Sequence, residues 1–338
     1  MKNQRINKLF AAALLALILS IWVAGCNWSN NAQSSTRSVA HSAQGSPHGG
    51  LDWDFTYEGE APIVVLTTTG MIHDIVQNIG GARVRSQALM GAGVDPHLYK
   101  ASPGDVRKLS EAKMVFYNGL HLEGKMVEIL ERLGDSRPSV AVASRIAPDQ
   151  LLKADGTTDL PDPHIWFDVS KWIAASQVVR DALKKFDAAN AKTYDANAAN
   201  YQAQLRVLDG YAKSQLATVP PAQRVLVTAH DAFRYFGRAY DVEVQGLQGI
   251  STASEVSVRD VQRIVQTLTS RKIKAIFVES SVPTRSVEAV VQGCRAKGHQ
   301  VKVGGSLFSD AMGKSGTPTG TYDGMVRHNI DTIVRALK

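Results

Sequence analysis

Ile63-Val64-Val65-Leu66-Thr67-Thr68-Thr69-Gly70 is a β-branched run that stops at a glycine, and beyond it the apolar residues fall at Ile72, Ile75, Val76 and Ile79. A short apolar run giving way to a 3.6-residue period spells a strand, a turn and a helix. The unit recurs. Met114-Val115-Phe116-Tyr117 passes through Asn118-Gly119 into a helical pattern on Met126, Ile129 and Leu130, and Ser139-Val140-Ala141-Val142 follows. Strands alternating with helices imply a parallel sheet covered on both faces. From about Ser170 to Thr218 the residues are almost wholly helix-forming, and Pro220-Pro221 closes that run, so one or two long helices lie there. The alternation then returns, with strands at Val225 to Thr228, Ala275 to Val278 and Val301 to Val303. The fold class is therefore α/β, with two lobes, each a mostly parallel sheet flanked by helices, joined by helix. The cleft between such lobes is the expected ligand site.

The chain has 338 residues, 44% apolar and 20% charged, which suffices for two lobes with ordinary cores. Its formal charge of +7 includes Lys2, Arg5 and Lys8, which precede the uncharged apolar run Leu9 to Val23. That arrangement reads as a signal peptide over residues 1–25, and its removal leaves +4. So mild an excess, with no basic stripe interleaved with aromatics, gives no case for nucleic acid. Val23-Ala24-Gly25-Cys26 resembles the lipobox of bacterial lipoproteins, which implies lipidation of Cys26 and an extracytoplasmic, membrane-anchored protein, in the periplasm or on the outer face of the cell membrane. Only Cys294 then remains, so no internal disulfide is available, and it reads as a small buried apolar residue. Residues 26–60, rich in Ser, Asn, Gln and Gly, read as a disordered tether, in which His41 and His48 are incidental. The expected units are then a first lobe at 61–187, a linking helix at 188–218 and a second lobe at 219–338.

The chemistry lies in a repeated phrase. Asp95-Pro96-His97-Leu98-Tyr99 is echoed by Asp162-Pro163-His164-Ile165-Trp166. Proline holds the preceding aspartate extended and fixes the backbone entering the histidine, and the apolar pair behind it pins the loop. Such an imidazole is presented rigidly, as a metal ligand must be. In the second lobe the strand ending at Thr228 runs straight into Ala229-His230-Asp231, and the strand at Val301 leads through Gly304-Gly305 to Asp310. Both residues belong at the carboxyl edge, where ligands bind. Three imidazoles and a carboxylate suit Zn2+ and tolerate Mn2+. Glu279, ending the Ile276 to Val278 strand, is either an acceptor for a ligating imidazole or a helix cap. His73, His121, His299 and His328 read as structural histidines.

From Ile63 to Lys338 the chain resembles the cluster 9 (class A-I) metal-binding receptors of ABC transporters, nearest the TroA type. Beside the two Asp-Pro-His segments, the shared stretches are Asn118-Gly119-Leu120-His121-Leu122-Glu123, Thr228-Ala229-His230-Asp231-Ala232-Phe233 and Leu307-Phe308-Ser309-Asp310-Ala311-Met312-Gly313. The resemblance implies a metal held by His97, His164, His230 and Asp310, and a long spine helix within 188–218 spanning both lobes. It also implies a monomeric receptor that delivers Zn2+ or Mn2+ to a permease and ATPase, without catalysis. Zinc-specific relatives often carry a His-rich insertion between the first two ligand segments, whereas residues 98 to 163 contain only His121; manganese-dedicated ones often place glutamate where this chain has His230. The rival reading is a secreted zinc-dependent hydrolase. Four protein ligands leave its metal no open position for water, and neither a His-Glu-x-x-His nor a Gly-x-Ser-x-Gly segment occurs.

Overall fold

The computed structural model describes residues 51–154 and 160–338. The expected leader, Cys26, His41 and His48 lie outside the described residues. The first lobe runs β1 (Ile63–Thr67), α1 (Gly70–Gly80), β2 (Val84–Ala88), α2 (Pro103–Glu111), β3 (Met114–Tyr117), α3 (Val127–Leu133) and β4 (Ser139–Ala141). Its sheet is wholly parallel in the order β2-β1-β3-β4. Helix starts are encoded locally. Thr69 caps α1, and Ser102 with Asp105 forms a capping box ahead of Pro103 at the first turn of α2.

Two long helices follow, α4 (Val169–Phe186) and α5 (Ala191–Leu216). The second lobe then runs β5 (Val225–His230), α6 (Arg234–Tyr240), β6 (Glu243–Gln248), α7 (Val258–Ser270), β7 (Ala275–Glu279), α8 (Arg285–Ala296), β8 (Lys302–Leu307) and α9 (Tyr322–Leu337). Strands β5 and β6 pair in parallel, as do β7 and β8, and β5 lies alongside β7.

Helix α5 packs against α1 and α4 of the first half and against α6 and α9 of the second. Its hydrogen bonds reach both ways: Tyr201 donates to Asp74 on α1 at 2.8 Å, and Asp209 accepts from Tyr240 at the end of α6 at 3.2 Å. One hydrophobic cluster runs from Ile72 and Ile75 through Trp172, Leu205 and Leu208 to Phe236, Met325 and Ile330. The lobes thus share a core along the spine, and close packing there resists large relative swings.

Three features depart from the sequence reading. Strand β2, Val84-Arg85-Ser86-Gln87-Ala88, lies at the sheet edge with only Val84 buried, so it carries no apolar run to reveal it. Strand β6, Glu243-Val244-Gln245-Gly246-Leu247-Gln248, is hidden for the same reason, with only Leu247 buried. And the polar segment assigned to the tether through residue 60 is packed from Leu51 onward. Trp53 sits edge-on to Phe186 at 6.2 Å, and the Tyr57 amide donates to the Phe186 carbonyl at 2.7 Å. The composition of the whole stretch masks the contacts that Trp53 and Tyr57 make with Phe186 at its end. Among the described residues no helix is long and apolar enough to cross a membrane.

Candidate metal centre

His97 lies on the loop leaving β2, and His164 on the segment entering a single 3-10 turn, Ile165–Phe167, ahead of α4. His230 is the last residue of β5, and Asp310 follows β8 by three residues. The fold brings all four together, each buried, with one donor atom apiece inside 4.8 Å of the others. His97 Nε2 and His164 Nε2 are 3.3 Å apart, His164 Nε2 and Asp310 Oδ1 3.5 Å, and His230 Nε2 and Asp310 Oδ2 3.3 Å. Donors about 2.0–2.1 Å from one tetrahedral ion would be spaced by ~3.3–3.4 Å. Both oxygens of Asp310 and Nε2 of His230 lack any hydrogen-bond partner within the protein. Buried polar atoms are rarely left so unless something else engages them.

The far sides of the donors are braced. Asp162 accepts from the His164 ring through Nδ1 at 2.7 Å and from the His164 amide at 3.0 Å. Glu279 at the end of β7 does the same for His230, at 2.5 Å to Nδ1 and 2.8 Å to the amide. Each carboxylate thereby turns Nε2 toward the centre. Of the two roles read for Glu279, the structure gives the acceptor: the residue before α8 is Thr284, and Glu279 spends both oxygens on His230. Gly246 on β6 makes room for the turn after His230, since a Cβ there would lie 2.6 Å from the Asp231 backbone.

A family model described as the zinc-uptake complex component A, periplasmic, matches residues 65–336. The chain belongs to this family. The manganese-binding lipoprotein MntA of Bacillus subtilis is 50% identical over 274 residues, spanning 81% of this chain and 89% of that protein. The zinc-binding protein TroA of Treponema pallidum is also 50% identical over 274 residues, spanning 81% and 88%. The solved structure of periplasmic TroA superposes with a TM-score of 0.80 at 49% identity, over 82% of this chain and 99% of that one. These similarities establish a TroA-type receptor fold of two α/β lobes.

Several residues of this family member that serve the site were not singled out from sequence. Asp162 and Asp95 were read only as backbone-setting partners of proline, yet Asp162 holds the His164 ring and Asp95 accepts from the His97 amide at 2.9 Å. An acid two residues before a histidine was the available signal. Asn118 Nδ2 donates to the Pro163 carbonyl at 3.0 Å, and Tyr235 OH to the Asp162 carbonyl at 3.0 Å; neither had any local cue. The remaining histidines stand elsewhere. His73 meets Ser86 through Nδ1 at 2.8 Å, His299 meets the Ile273 carbonyl at 2.8 Å and His328 the Ser306 carbonyl at 3.1 Å. His121 sits in a left-handed turn at φ 61, outside the four-residue cluster.

The three imidazoles hold protons very differently. Burial depresses His97 to about 4, helped by charge on the neighbouring His164 and His230, with the Asp310 and Asp162 carboxylates opposing. Burial also works against a proton on His164, but the Asp162 carboxylate, joined by Asp310, overrides it and lifts that imidazole to about 9. For His230 too, burial is outweighed, by Glu279 and Asp310, and the imidazolium is favoured; the same two cations outweigh burial at Asp310 and keep it ionised. In the metal-free protein the His164 imidazolium, set against Asp162 and Asp310, therefore stabilises the fold fully below the unfolded pKa of about 6.5, and that contribution is lost as pH rises through about 9. A cation must displace those protons, so its dependence runs the other way. Apparent metal affinity should climb steadily between pH 6.5 and about 9 and not level off just above the ordinary histidine range. Titration of metal into weakly buffered protein should show proton release at neutral pH; a flat affinity across that window would contradict this protonation pattern.

Proposed function

We propose that the protein is the extracytoplasmic substrate-binding component of an ABC importer for a divalent transition metal, zinc or manganese, and that His97, His164, His230 and Asp310 hold the ion. The observation that carries this reading is the convergence of four buried donor atoms, two from each lobe, within 4.8 Å. Four protein donors close a tetrahedral shell, which suits capture and delivery; a hydrolytic zinc needs a position for water. That favours a receptor over a secreted zinc hydrolase. The two relatives, one a manganese-binding lipoprotein and one a zinc-binding protein, support a divalent transition metal as cargo. A family model named for one component of an uptake complex supports a permease and an ATPase as partners. We further propose a monomer, anchored through acyl chains on Cys26, with residues 61–187, 188–218 and 219–338 as first lobe, linking helix and second lobe.

Alanine at His164 or at Asp310 should cost metal affinity more than the ~10–100-fold typical of losing a supporting partner. It should also abolish most of the metal-induced rise in melting temperature, because that rise reflects binding to the folded state alone. Elemental analysis and thermal melts check this, and full stoichiometry with an unchanged shift in both variants would reject the assignment. For the cargo, three nitrogen donors and one oxygen favour zinc, which stands above manganese in the Irving–Williams order. Competition titration at neutral pH should therefore show tighter zinc binding, whichever ion the cell supplies; tighter manganese binding would mean a shell richer in oxygen than the one proposed. Finally, Cys26→Ala should leave the protein unprocessed or released from membranes, since stable attachment needs acyl chains. Fractionation that finds it processed and still membrane-bound would refute the anchor.

A further inference from the structure

We infer that Thr252 is a positioning residue that latches the first ligand segment across the cleft, so that metal enters and leaves by movement of His97 while the other three donors stay together. The inference rests on the metal-receptor reading above. It follows from how unequally the two Asp-Pro-His segments are held. The second is tied to the opposite lobe at three places. Tyr235 OH donates to the Asp162 carbonyl at 3.0 Å, Trp166 Nε1 to the Ser309 carbonyl at 3.0 Å, and Tyr322 OH to the Trp166 carbonyl at 2.6 Å. The Trp166 bond lands one residue before Asp310, and His230 is braced by Glu279 on the adjacent strand. His164, His230 and Asp310 thus share one braced platform.

The first segment has a single such tie. Among the described residues its one hydrogen bond to the second lobe is from the Thr252 hydroxyl to Asp95 Oδ2, at 2.6 Å. The other oxygen of Asp95 accepts from the His97 amide at 2.9 Å, so one carboxylate joins the far lobe to the backbone of a ligand. Thr252 is itself anchored: Gln248 Nε2 donates to its carbonyl at 2.9 Å, and Gln248 is the register partner of His230 on β5. A continuous path therefore runs from His230 through Gln248, Thr252 and Asp95 to His97. Elsewhere the segment meets the second lobe by shape. Gly93, at φ 74, lies so near the Ser280 carbonyl oxygen that a Cβ would sit 3.4 Å from it. The loop is also the open side of the site, with Gly91, Ala92 and Gly93 exposed and Leu98 49% exposed, whereas residues 162–167 are buried throughout. His97 is moreover the one imidazole of the three with no carboxylate on its second ring nitrogen, so leaving the shell abandons no such bond.

Thr252→Val keeps the shape and removes the hydroxyl. Zinc release from the loaded protein into excess chelator, followed by stopped flow, should speed up about tenfold, in keeping with loss of one hydrogen bond to a charged group. Thr252→Ser should restore the parental rate. The visible spectrum of the Co2+-loaded valine variant should match the parent, because the ligand set is unchanged, and amide hydrogen exchange should rise over residues 91–99 but not over 162–167. Release at the parental rate, or faster exchange in both segments alike, would overturn the latch. His164→Ala separates the two readings. If that variant still binds one zinc, the metal centre itself is wrongly assigned; if it loses zinc while Thr252→Val releases at the parental rate, only the latch falls.

Discussion

Asp310 is a carboxylate with almost no exposed surface, faced by the Nε2 atoms of His164 at 3.5 Å and His230 at 3.3 Å, and the rest of the site is arranged around making its charge tolerable. An isolated buried charge is expensive, so it survives only where opposite charge surrounds it. In the metal-free protein the charge is balanced by protons on His164 and His230, which Asp162 and Glu279 hold in place from behind. Two carboxylates outside and one inside thus sandwich two imidazoles. At the proposed metal centre a divalent cation would replace the protons without disturbing the outer bonds, because those bonds use Nδ1 and leave Nε2 for the centre. His97, held near 4 by burial, would offer a neutral donor in either state.

The spine converts this local electrostatics into a coupling between lobes. Helix α5 and the core shared along it limit how far the halves can part. On the proposed reading, metal release would then depend on small displacements at the cleft, where the polar ties are fewest. The site's two histidine loops differ in their ties: the second is bonded through backbone carbonyls to the opposite lobe, and the first through one side chain. Loops with few ties open at lower free-energy cost than their neighbours.

Much of this was legible in the residues. The strand-turn-helix phrase from Ile63, the repeated Asp-Pro-His, the strand running into His230 and the glycine-led path to Asp310 each declare themselves locally, because periodicity and proline act over a few residues. What the sequence by itself determined is accordingly the α/β class, the helical middle and the identity of the four converging residues. The edge strands β2 and β6 escaped it, since exposed strands need no apolar run. So did the packing of Trp53 and Tyr57, whose partner Phe186 lies more than a hundred residues away. The roles of Asn118, Tyr235, Trp166 and Thr252 belong to the tertiary structure alone. Each acts through a bond whose partner is fixed by how loops meet in space, and the protonation of each imidazole depends on which carboxylate the fold sets behind it.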